Sequence, residues 1–266
     1  MPKINQMHTT VVLAMSADGK IANSHRSPAR FGSALDQAHL ETQIAHADGV
    51  LFGAGTLRAY GTTKIVKQPD LLDRRAALGK PPQPVQIVAS GRGDLNPNFR
   101  FFSQPVPRWL ITATDPDIAL PFEKIILAPQ IDSQINSQID FQINSQINSP
   151  INSPVDSQAT MGAIDWLQAF EKLATLGIKK LVVSGGGALV AALIALDLVD
   201  ELWLTVCPVI FGGRDAPTPV AGLGLPAQRQ LQLLTAEVVE AEVFLHYRFL
   251  PQISLEDIRQ ISGLSS

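Results

Sequence analysis

Residues 181–190 read LVVSGGGALV, and this stretch indicates the fold more directly than any other part of the 266-residue chain. An apolar run ends in three glycines, and a second apolar run follows at once. The first run is typical of a buried strand, the glycines of a tight turn, and residues 188–198 of a helix. A strand that leads directly into a helix predicts a parallel sheet with helices on its faces.

The same alternation of strands and helices runs along the rest of the chain. The closing strands, within residues 229–249, place Val243, Leu245, Tyr247 and Phe249 in the alternation that one buried face requires. We therefore expect an α/β fold of three layers, with a mainly parallel central sheet and a C-terminal antiparallel hairpin. The other predicted strands are residues 8–16, 49–52, 85–89, 109–112, 124–128 and 201–206, and the other predicted helices are residues 34–47 and 163–176.

One domain over residues 8–250 accounts for all these elements and leaves residues 251–266 as a C-terminal tail. Residues 131–158 interrupt the pattern, because isoleucine recurs there at every fourth position among Asn, Ser and Gln. Repeats this short and few cannot stack a stable core, so a disordered or loosely ordered insertion is expected. An Asn/Gln-rich assembly tract or a small solenoid is the functional alternative.

Composition limits the partners of the chain. The net charge is −3, and no basic stripe with interleaved aromatic residues is visible, which argues against a nucleic-acid surface. The longest apolar helical run is shorter than the roughly 20 residues that span a bilayer. The N-terminal residues lack the pattern of a signal peptide, and the single cysteine, Cys207, is expected in the core. We expect a cytoplasmic protein with a small-molecule substrate, which binds neither nucleic acid nor membrane.

Several classes of enzyme are excluded because the sequence lacks the residues that their active sites need. A zinc deaminase needs H-x-E with P-C-x-x-C, which one cysteine cannot supply. The sequence also lacks H-E-x-x-H, G-x-S-x-G and a Walker A lysine, so no metal site is expected and these hydrolase classes are excluded.

The glycine turn of the opening stretch has two readings. A strand, a glycine turn and a helix together place free N–H groups at the positive end of a helix dipole, where phosphate binds. Gly185, Gly186 and Gly187 would form the turn, and Ala188 and Leu189 would present helical N–H groups. Because the pattern is not G-x-G-x-x-G, a tight turn without a ligand is the alternative.

Two further strand ends carry small-residue turns. The sequence GAGT supplies Gly53, Gly55 and Thr56, and the sequence SGRG supplies Ser90 and Arg92. Three such turns suit a phosphorylated cofactor laid across the carboxyl ends of a parallel sheet. An arginine beside a serine favours a 2′-phosphate, so the expected cofactor is NADPH rather than NADH.

The first strand is followed by SADGK. Asp18 and Gly19 are a common turn pair, and a plain turn is one interpretation. In the functional interpretation, Asp18 and Lys20 lie at the carboxyl edge of the sheet and face a substrate.

Three blocks of sequence together resemble the pyrimidine reductases of riboflavin biosynthesis. They are MSADGKIA (15–22), ADGVLFGAGT (47–56) and the long block that begins at Leu181 and ends in CPVIFGG at 213. The resemblance covers most of residues 8–250 apart from the repeat. It implies a dihydrofolate-reductase-like fold, often dimeric, and NADPH-dependent reduction of 5-amino-6-(5-phosphoribosylamino)uracil, whose opened ribose becomes a ribityl chain.

The resemblance also implies roles for individual residues. Gly53, Thr56, Ser90 and the run 186–192 match positions that contact the cofactor. Asp18 and Lys20 match the loop on the substrate side, where we expect them to orient the substrate or deliver a proton. Lys67 matches an arginine that holds the substrate phosphate; lysine keeps the charge but loses the forked donor geometry.

Three positions depart from the family pattern. Ser184 stands where the family commonly has a glutamate near the substrate, and Tyr60 stands where it tends to have an aspartate. Phe31 replaces a tryptophan of the substrate loop. These changes leave two alternatives open: a reductase of another pteridine, folate or quinone-like acceptor, and a non-catalytic NADP-binding protein of the same fold.

Overall fold

The computed structural model describes residues 7–28, 30–116, 120–130, 163–222 and 224–251. The repeat at 131–158 and the tail after residue 251 lie outside the described residues, and the predictions made for them are unaffected by the structure. The domain limits of 8–250 likewise stay a prediction.

A nine-stranded sheet forms the centre of the molecule. Its order is β5-β4-β3-β2-β6-β1-β7-β9-β8. Neighbours from β5 to β7 are parallel, and only the pairs β7–β9 and β9–β8 are antiparallel. The predicted mainly parallel sheet with a C-terminal hairpin is confirmed. The strands are β1 (His8–Ser16), β2 (Gly49–Gly53), β3 (Val85–Ala89), β4 (Arg108–Thr112), β5 (Lys124–Leu127), β6 (Lys180–Val183), β7 (Glu201–Cys207), β8 (Leu231–Val239) and β9 (Glu242–Phe249).

Five α-helices lie among the described residues, and they cover the two faces of the sheet. Helices α1 to α3 pack on one face around Ile44, Leu57 and Leu71. Helices α4 and α5 pack on the other around Phe170 and Leu193. The helices are α1 (Ala34–His46), α2 (Ala54–Tyr60), α3 (Pro69–Ala77), α4 (Trp166–Thr175) and α5 (Gly187–Ala195), and a 3-10 turn spans Arg100–Ser103.

Two of these helices were not predicted from the sequence. The GAGT segment was interpreted as a turn, but α2 begins at Ala54, directly after the strand residue Gly53. Helix α3 begins with Pro69 at its first turn, a position that proline favours. Both helices are short, and α3 is dominated by charged residues, so an apolar stripe did not mark them.

Two predicted helix faces are partly wrong. The helices at 34–47 and 163–176 were predicted from apolar residues near helical spacing, which included Leu35 and Leu167, but each of these two leucines is 40% exposed. In α4 the buried residue of the first turn is Trp166, because the helix begins there, after an N-cap at Asp165.

The closing hairpin also differs from its prediction. Val243, Leu245, Tyr247 and Phe249 are only half-buried. Their register partners on the neighbouring strands are also apolar, and residues directly opposite one another share a face of the sheet. We call this set the hairpin face; it comprises Leu202, Leu204, Val206, Leu231, Leu233, Ala236, Val238, Val243, Leu245, Tyr247 and Phe249. The described helices leave much of it uncovered.

Two features of the core bear on the predictions made from composition. Cys207 is buried, as predicted, and burial raises the pKa of its thiol to about 12. Within the described ranges, none of the helices is long and apolar enough to cross a membrane.

A buried arginine ties α1 to α3. Arg75 is 1% exposed, and its guanidinium donates to the carbonyl oxygens of Ala45 and Ala47 at the end of α1, and of Pro81 after α3, at 2.7–2.8 Å. Carbonyl groups at a helix end lack partners within the helix. Arg75 therefore supplies the hydrogen bonds that the end of α1 needs.

Replacing Arg75 with methionine is expected to lower the free energy of unfolding by about 3 kcal/mol, because two buried carbonyl groups and a third, partly buried one lose their donor. Urea unfolding followed by circular dichroism measures this change. Arg74→Met is the matched control, since Arg74 is the exposed neighbour in the same helix; its effect is expected within about 0.5 kcal/mol. Equal effects of the two substitutions would contradict the role given to Arg75.

Candidate active site

The predicted site residues lie on four neighbouring strand ends. In the order of the sheet, the turn at Ser90 follows β3, Gly53 ends β2, Ser184 follows β6 and Ser16 ends β1. All four strands are parallel, so these ends share the carboxyl edge of the sheet. The four strand ends form a row about 14 Å long, because three inter-strand distances separate the first from the last. A dinucleotide binds across such an edge where the direction of the chain through the sheet reverses.

Two strand ends meet at the centre of this row. The N–H of Ser184 donates to the carbonyl oxygen of Leu51 at 3.0 Å, and the N–H of Gly53 donates to the carbonyl oxygen of Gly185 at 3.3 Å. Helix α2 starts beside one strand end and α5 beside the other. The two amino ends direct partial positive charge at the same place, which favours a negatively charged group there.

The glycines between β6 and α5 are required by this approach. Gly185 and Gly186 have φ values of +146° and +94°, a region that side chains disfavour. A Cβ added at Gly185 would lie 3.2 Å from Oγ1 of Thr56, and one added at Gly186 would lie 3.9 Å from the Cα of Gly53. Gly185, Gly186, Gly53 and Thr56 therefore line one crevice, which we call the glycine cradle. Gly55 is exposed in the first turn of α2, next to Thr56 in the chain.

Three other predicted cofactor residues have different surroundings. Gly187 is buried beneath the segment after β7, where a Cβ would collide with the carbonyl oxygen of Thr218. The side chain of Leu189 is 1% exposed and belongs to the core. Ala188 is half-buried. Gly187 and Leu189 thus hold α5 in place, and only their backbones remain available to a ligand.

The turn after β3 is held by side-chain hydrogen bonds and carries an exposed arginine. Ser90 is 4% exposed, and its hydroxyl accepts from the N–H of Gly93 at 3.2 Å. The hydroxyl of Thr112 donates to the carbonyl oxygen of Gly91. Arg92 is exposed on the turn that these bonds fix. The turn thus places Arg92 at the β3 end of the row, beside β2.

Asp18 has a well-defined set of partners. Its carboxylate accepts from the Ser16 hydroxyl at 2.6 Å, and from the backbone N–H groups of Gly212 at 2.7 Å and Phe211 at 3.2 Å. The Ser16 hydroxyl above all, helped by these two N–H groups, lowers the pKa of Asp18 to about 2. The carboxyl group is therefore ionised at neutral pH and carries no proton to deliver. Of the two roles predicted for Asp18, orientation is compatible with this geometry.

Of the remaining predicted site residues, Lys20 and Phe31 lie near the segments that follow β1 and β7, whereas Lys67 lies beside α1. Lys20 is half-buried, and its backbone is bonded at both ends to Ser16, so its side chain starts at the end of β1 beside β6. Phe31 packs edge-on against Phe211, with ring centroids 5.2 Å apart. Lys67 is exposed, and its N–H donates to Glu41, about two turns along α1. Its position is set by α1 rather than by the glycine cradle.

The segment after β7 was missed by the sequence prediction. It crosses the carboxyl edge of the sheet, because Val209 accepts from the N–H of Ala17, Pro217 accepts from that of Ile21, and Ala221 donates to Gly187. The only local signal was the pair Gly212–Gly213, whose φ values are +65° and +83°. Two left-handed glycines at the end of a strand adjacent to β1 mark a tight turn over the site.

The candidate site lies at the carboxyl edge of the sheet. A cavity of about 300 Å³ lies elsewhere, lined by His8, Lys180 and Glu201 at the amino-terminal ends of β1, β6 and β7. In the part of the chain that the structure describes, His, Cys, Asp and Glu side chains form no cluster that could hold a metal ion.

Comparison with known proteins shows the family of the chain. The model of a family described as the RibD C-terminal domain matches residues 7–245. The chain is 27% identical over 214 residues to the 2,5-diamino-6-ribosylamino-4(3H)-pyrimidinone 5′-phosphate reductase of Archaeoglobus fulgidus, covering 80% of this chain and 85% of the relative. The protein of the same name from Methanothermobacter thermautotrophicus is 24% identical over 212 residues, covering 80% and 82%.

Solved structures share the fold. A pyrimidine reductase-like protein of Corynebacterium diphtheriae superposes with a TM-score of 0.70 at 19% identity, over 94% of both chains. The riboflavin biosynthesis reductase of Saccharomyces cerevisiae superposes with a TM-score of 0.62 at 17% identity, over 94% of this chain and 93% of that one.

Gly185→Ala is expected to weaken binding of a nicotinamide dinucleotide by at least about tenfold, because the added methyl group crowds Thr56 and narrows the cradle. Gly79→Ala is the matched control: Gly79 also has a positive φ, of +67°, but a Cβ there meets nothing within 4 Å. Both substitutions place a Cβ at positive φ, but only the one at Gly185 puts it into the cradle. Isothermal titration calorimetry gives the two Kd values, and equal values would contradict the cradle.

Proposed function

Because the chain belongs to the RibD C-terminal domain family, and its named relatives are pyrimidine reductases, we propose that it is an NADPH-dependent pyrimidine reductase of riboflavin biosynthesis. The acceptor is a phosphoribosylamino-pyrimidine, and reduction converts its ribose to a ribityl chain. The enzyme works in the cytoplasm.

The glycine cradle is the observation that carries this proposal. Three members of its lining are glycines and the fourth is Thr56, so a cofactor pyrophosphate fits against backbone N–H groups beside the threonine hydroxyl. Gly53, Thr56, Gly185 and Gly186 would hold it, and the nicotinamide of the bound cofactor would supply the hydride. Arg92, beside Ser90 at one end of the row, would pair with a 2′-phosphate, which is the basis for NADPH rather than NADH.

The acceptor side lies at the other end of the row. Lys20 follows β1, Ser184 follows β6, and Phe31 belongs to the segment before α1. We assign Lys20 and Ser184 to orientation of the acceptor, and Lys67 to its phosphate. The exposed lysine would meet that phosphate as a point charge, without the two parallel hydrogen bonds of an arginine.

Two acceptors differ only on the pyrimidine ring. The resemblance seen in the sequence points to 5-amino-6-(5-phosphoribosylamino)uracil. The names of the two archaeal relatives point instead to 2,5-diamino-6-ribosylamino-4(3H)-pyrimidinone 5′-phosphate. Ser184 is compatible with either compound, because a neutral hydroxyl serves as donor or acceptor toward either an amino or a carbonyl substituent.

Oxidation of NADPH, followed by absorbance with each pyrimidine in turn, tests the proposal. Turnover of either compound is expected, with NADPH preferred over NADH. Tight NADPH binding without turnover would favour the non-catalytic NADP-binding alternative, and turnover only with pteridines would favour the other reductase. An absence of NADPH binding in calorimetry would overturn the cofactor assignment.

Ser184→Glu forms a further arm of the same assay. If the missing acid alone limits activity on the uracil compound, restoring the carboxylate raises kcat/KM for that compound by about tenfold or more. Ser184→Gln is the matched control, since it has the same length without the charge. Unchanged or lower activity of Ser184→Glu would show that the serine suits a different acceptor.

We also propose that the protein is a homodimer, joined through the hairpin face. All eleven side chains of that face are apolar, whereas the opposite face of β8 carries Gln232, Thr235 and Glu237. A surface without charge packs against a second copy of itself without like-charge repulsion, as a two-fold interface requires. Contiguous apolar surface of this kind is rare on monomers.

Val238→Glu is expected to convert the dimer to a monomer, because Val238 is 76% exposed on the hairpin face and a carboxylate there would be buried against its copy. Sedimentation velocity measures the mass of each variant. Thr235→Glu, at an exposed position on the opposite face of β8, is the matched control and should remain dimeric. A monomeric wild-type protein, or a dimeric Val238→Glu variant, would contradict this interface.

A further inference from the structure

Asp18 joins two segments that are 193 residues apart in sequence. It lies in the turn after β1, and its partners Phe211 and Gly212 lie in the segment after β7. Strands β1 and β7 pair over seven residues, up to Ser16 opposite Cys207. The two turns therefore leave the sheet side by side, and the Asp18 carboxylate bridges them above the strand ends.

The segment after β7 is attached to the segment after β1 at three places. Near its start, Val209 accepts a hydrogen bond from the N–H of Ala17 at 2.8 Å; further along, Pro217 accepts one from the N–H of Ile21 at 2.9 Å. Asp18 binds the part between them, at two consecutive N–H groups. A carboxylate suits this position, because it accepts several hydrogen bonds and donates none.

The bridge fixes an aromatic side chain. Phe211 contributes one of the two N–H groups, and its ring meets the ring of Phe31 edge-on at 5.2 Å. Phe211 remains 37% exposed and Phe31 is half-buried, so the pair keeps free apolar surface. Phe31 is itself held from its other side, because Ser33 donates both its N–H and its hydroxyl to Glu242, at 2.9 and 2.6 Å.

We propose that Asp18 is a positioning residue that holds Phe211 against Phe31, so that the two rings form a wall for the planar ring of the acceptor. This inference rests on the proposed function for the identity of the acceptor. It assigns no proton transfer to Asp18 and gives Phe211 direct contact with the pyrimidine. Aromatic faces and edges are well suited to contact with a flat heterocycle.

Asp18→Asn and Asp18→Ala test the bridge in graded steps, because asparagine keeps one acceptor oxygen and alanine keeps none. Asp215→Asn is the control: Asp215 is an exposed acid of the same segment, paired with its neighbour Arg214. Amide hydrogen exchange at Phe211 and Gly212 is expected to accelerate by about tenfold or more in Asp18→Ala, less in Asp18→Asn, and not in the control.

Steady-state kinetics then test the wall. Asp18→Ala is expected to raise KM for the pyrimidine by about tenfold, with KM for NADPH unchanged and kcat reduced by less. Because Asp18 transfers no proton in this proposal, the dependence of kcat on pH should have the same acidic and basic limbs in Asp18→Asn as in the wild type. Phe211→Ala should raise the same KM, and the double variant should be no worse than the more damaged single variant.

Each outcome decides one part. Unchanged exchange in Asp18→Ala overturns the bridge, whatever the enzyme turns over. Faster amide exchange in Asp18→Ala with an unchanged KM for the pyrimidine overturns the wall. Loss of one limb of the pH profile of kcat in Asp18→Asn would show that Asp18 donates or accepts a proton instead. If the wild type turns over neither pyrimidine, the proposed function has failed. The wall is then tested by calorimetry, which measures the affinity of each pyrimidine for the wild type, Asp18→Ala and Phe211→Ala. Equal affinities of the three proteins overturn the wall.

Discussion

The arrangement of the site depends on the pairing of β6 with both β2 and β1. Val182 lies opposite Val50 on one side and Thr10 on the other, so a strand from the second half of the chain occupies the gap between two strands from the first half. Backbone hydrogen bonds on both edges of β6 fix its height in the sheet. That height brings Gly185 against Thr56 and places Ser184 one strand away from the turn that carries Lys20.

A second constraint fixes the acceptor side. Ser33 caps α1 by accepting from the N–H groups of Leu35 and Asp36, and it donates to Glu242 at the start of β9. Burial raises the pKa of the Asp36 carboxyl, and the nearby charge of Glu242 adds to this effect. Gly32 has no room for a side chain, because a Cβ there would collide with the Asp36 carboxylate. The segment that carries Phe31 is thus joined to the hairpin as well as to α1.

Regular elements with strong periodicity were predictable, and weak ones were not. The strands β1 to β7 appear where apolar runs predicted them, because parallel strands covered on both faces need continuous apolar sequence. Helix α2 has seven residues and a glycine, and α3 reads PDLLDRRAA, so neither shows an apolar stripe. Alternation in β9 correctly identified which residues share a face, but it did not reveal whether another element covers that face.

The sequence by itself determined the class of fold and the position of each glycine turn, because strand and helix periodicity and the need for glycine at positive φ are local properties. Only the tertiary structure decided which turns are neighbours. It also changed the meaning of single residues: Asp18 binds the N–H groups of Phe211 and Gly212, and Gly187 packs beneath Thr218. Such contacts depend on the order of the strands in the sheet, which brings together residues that are far apart in the chain. Local sequence patterns do not predict that order.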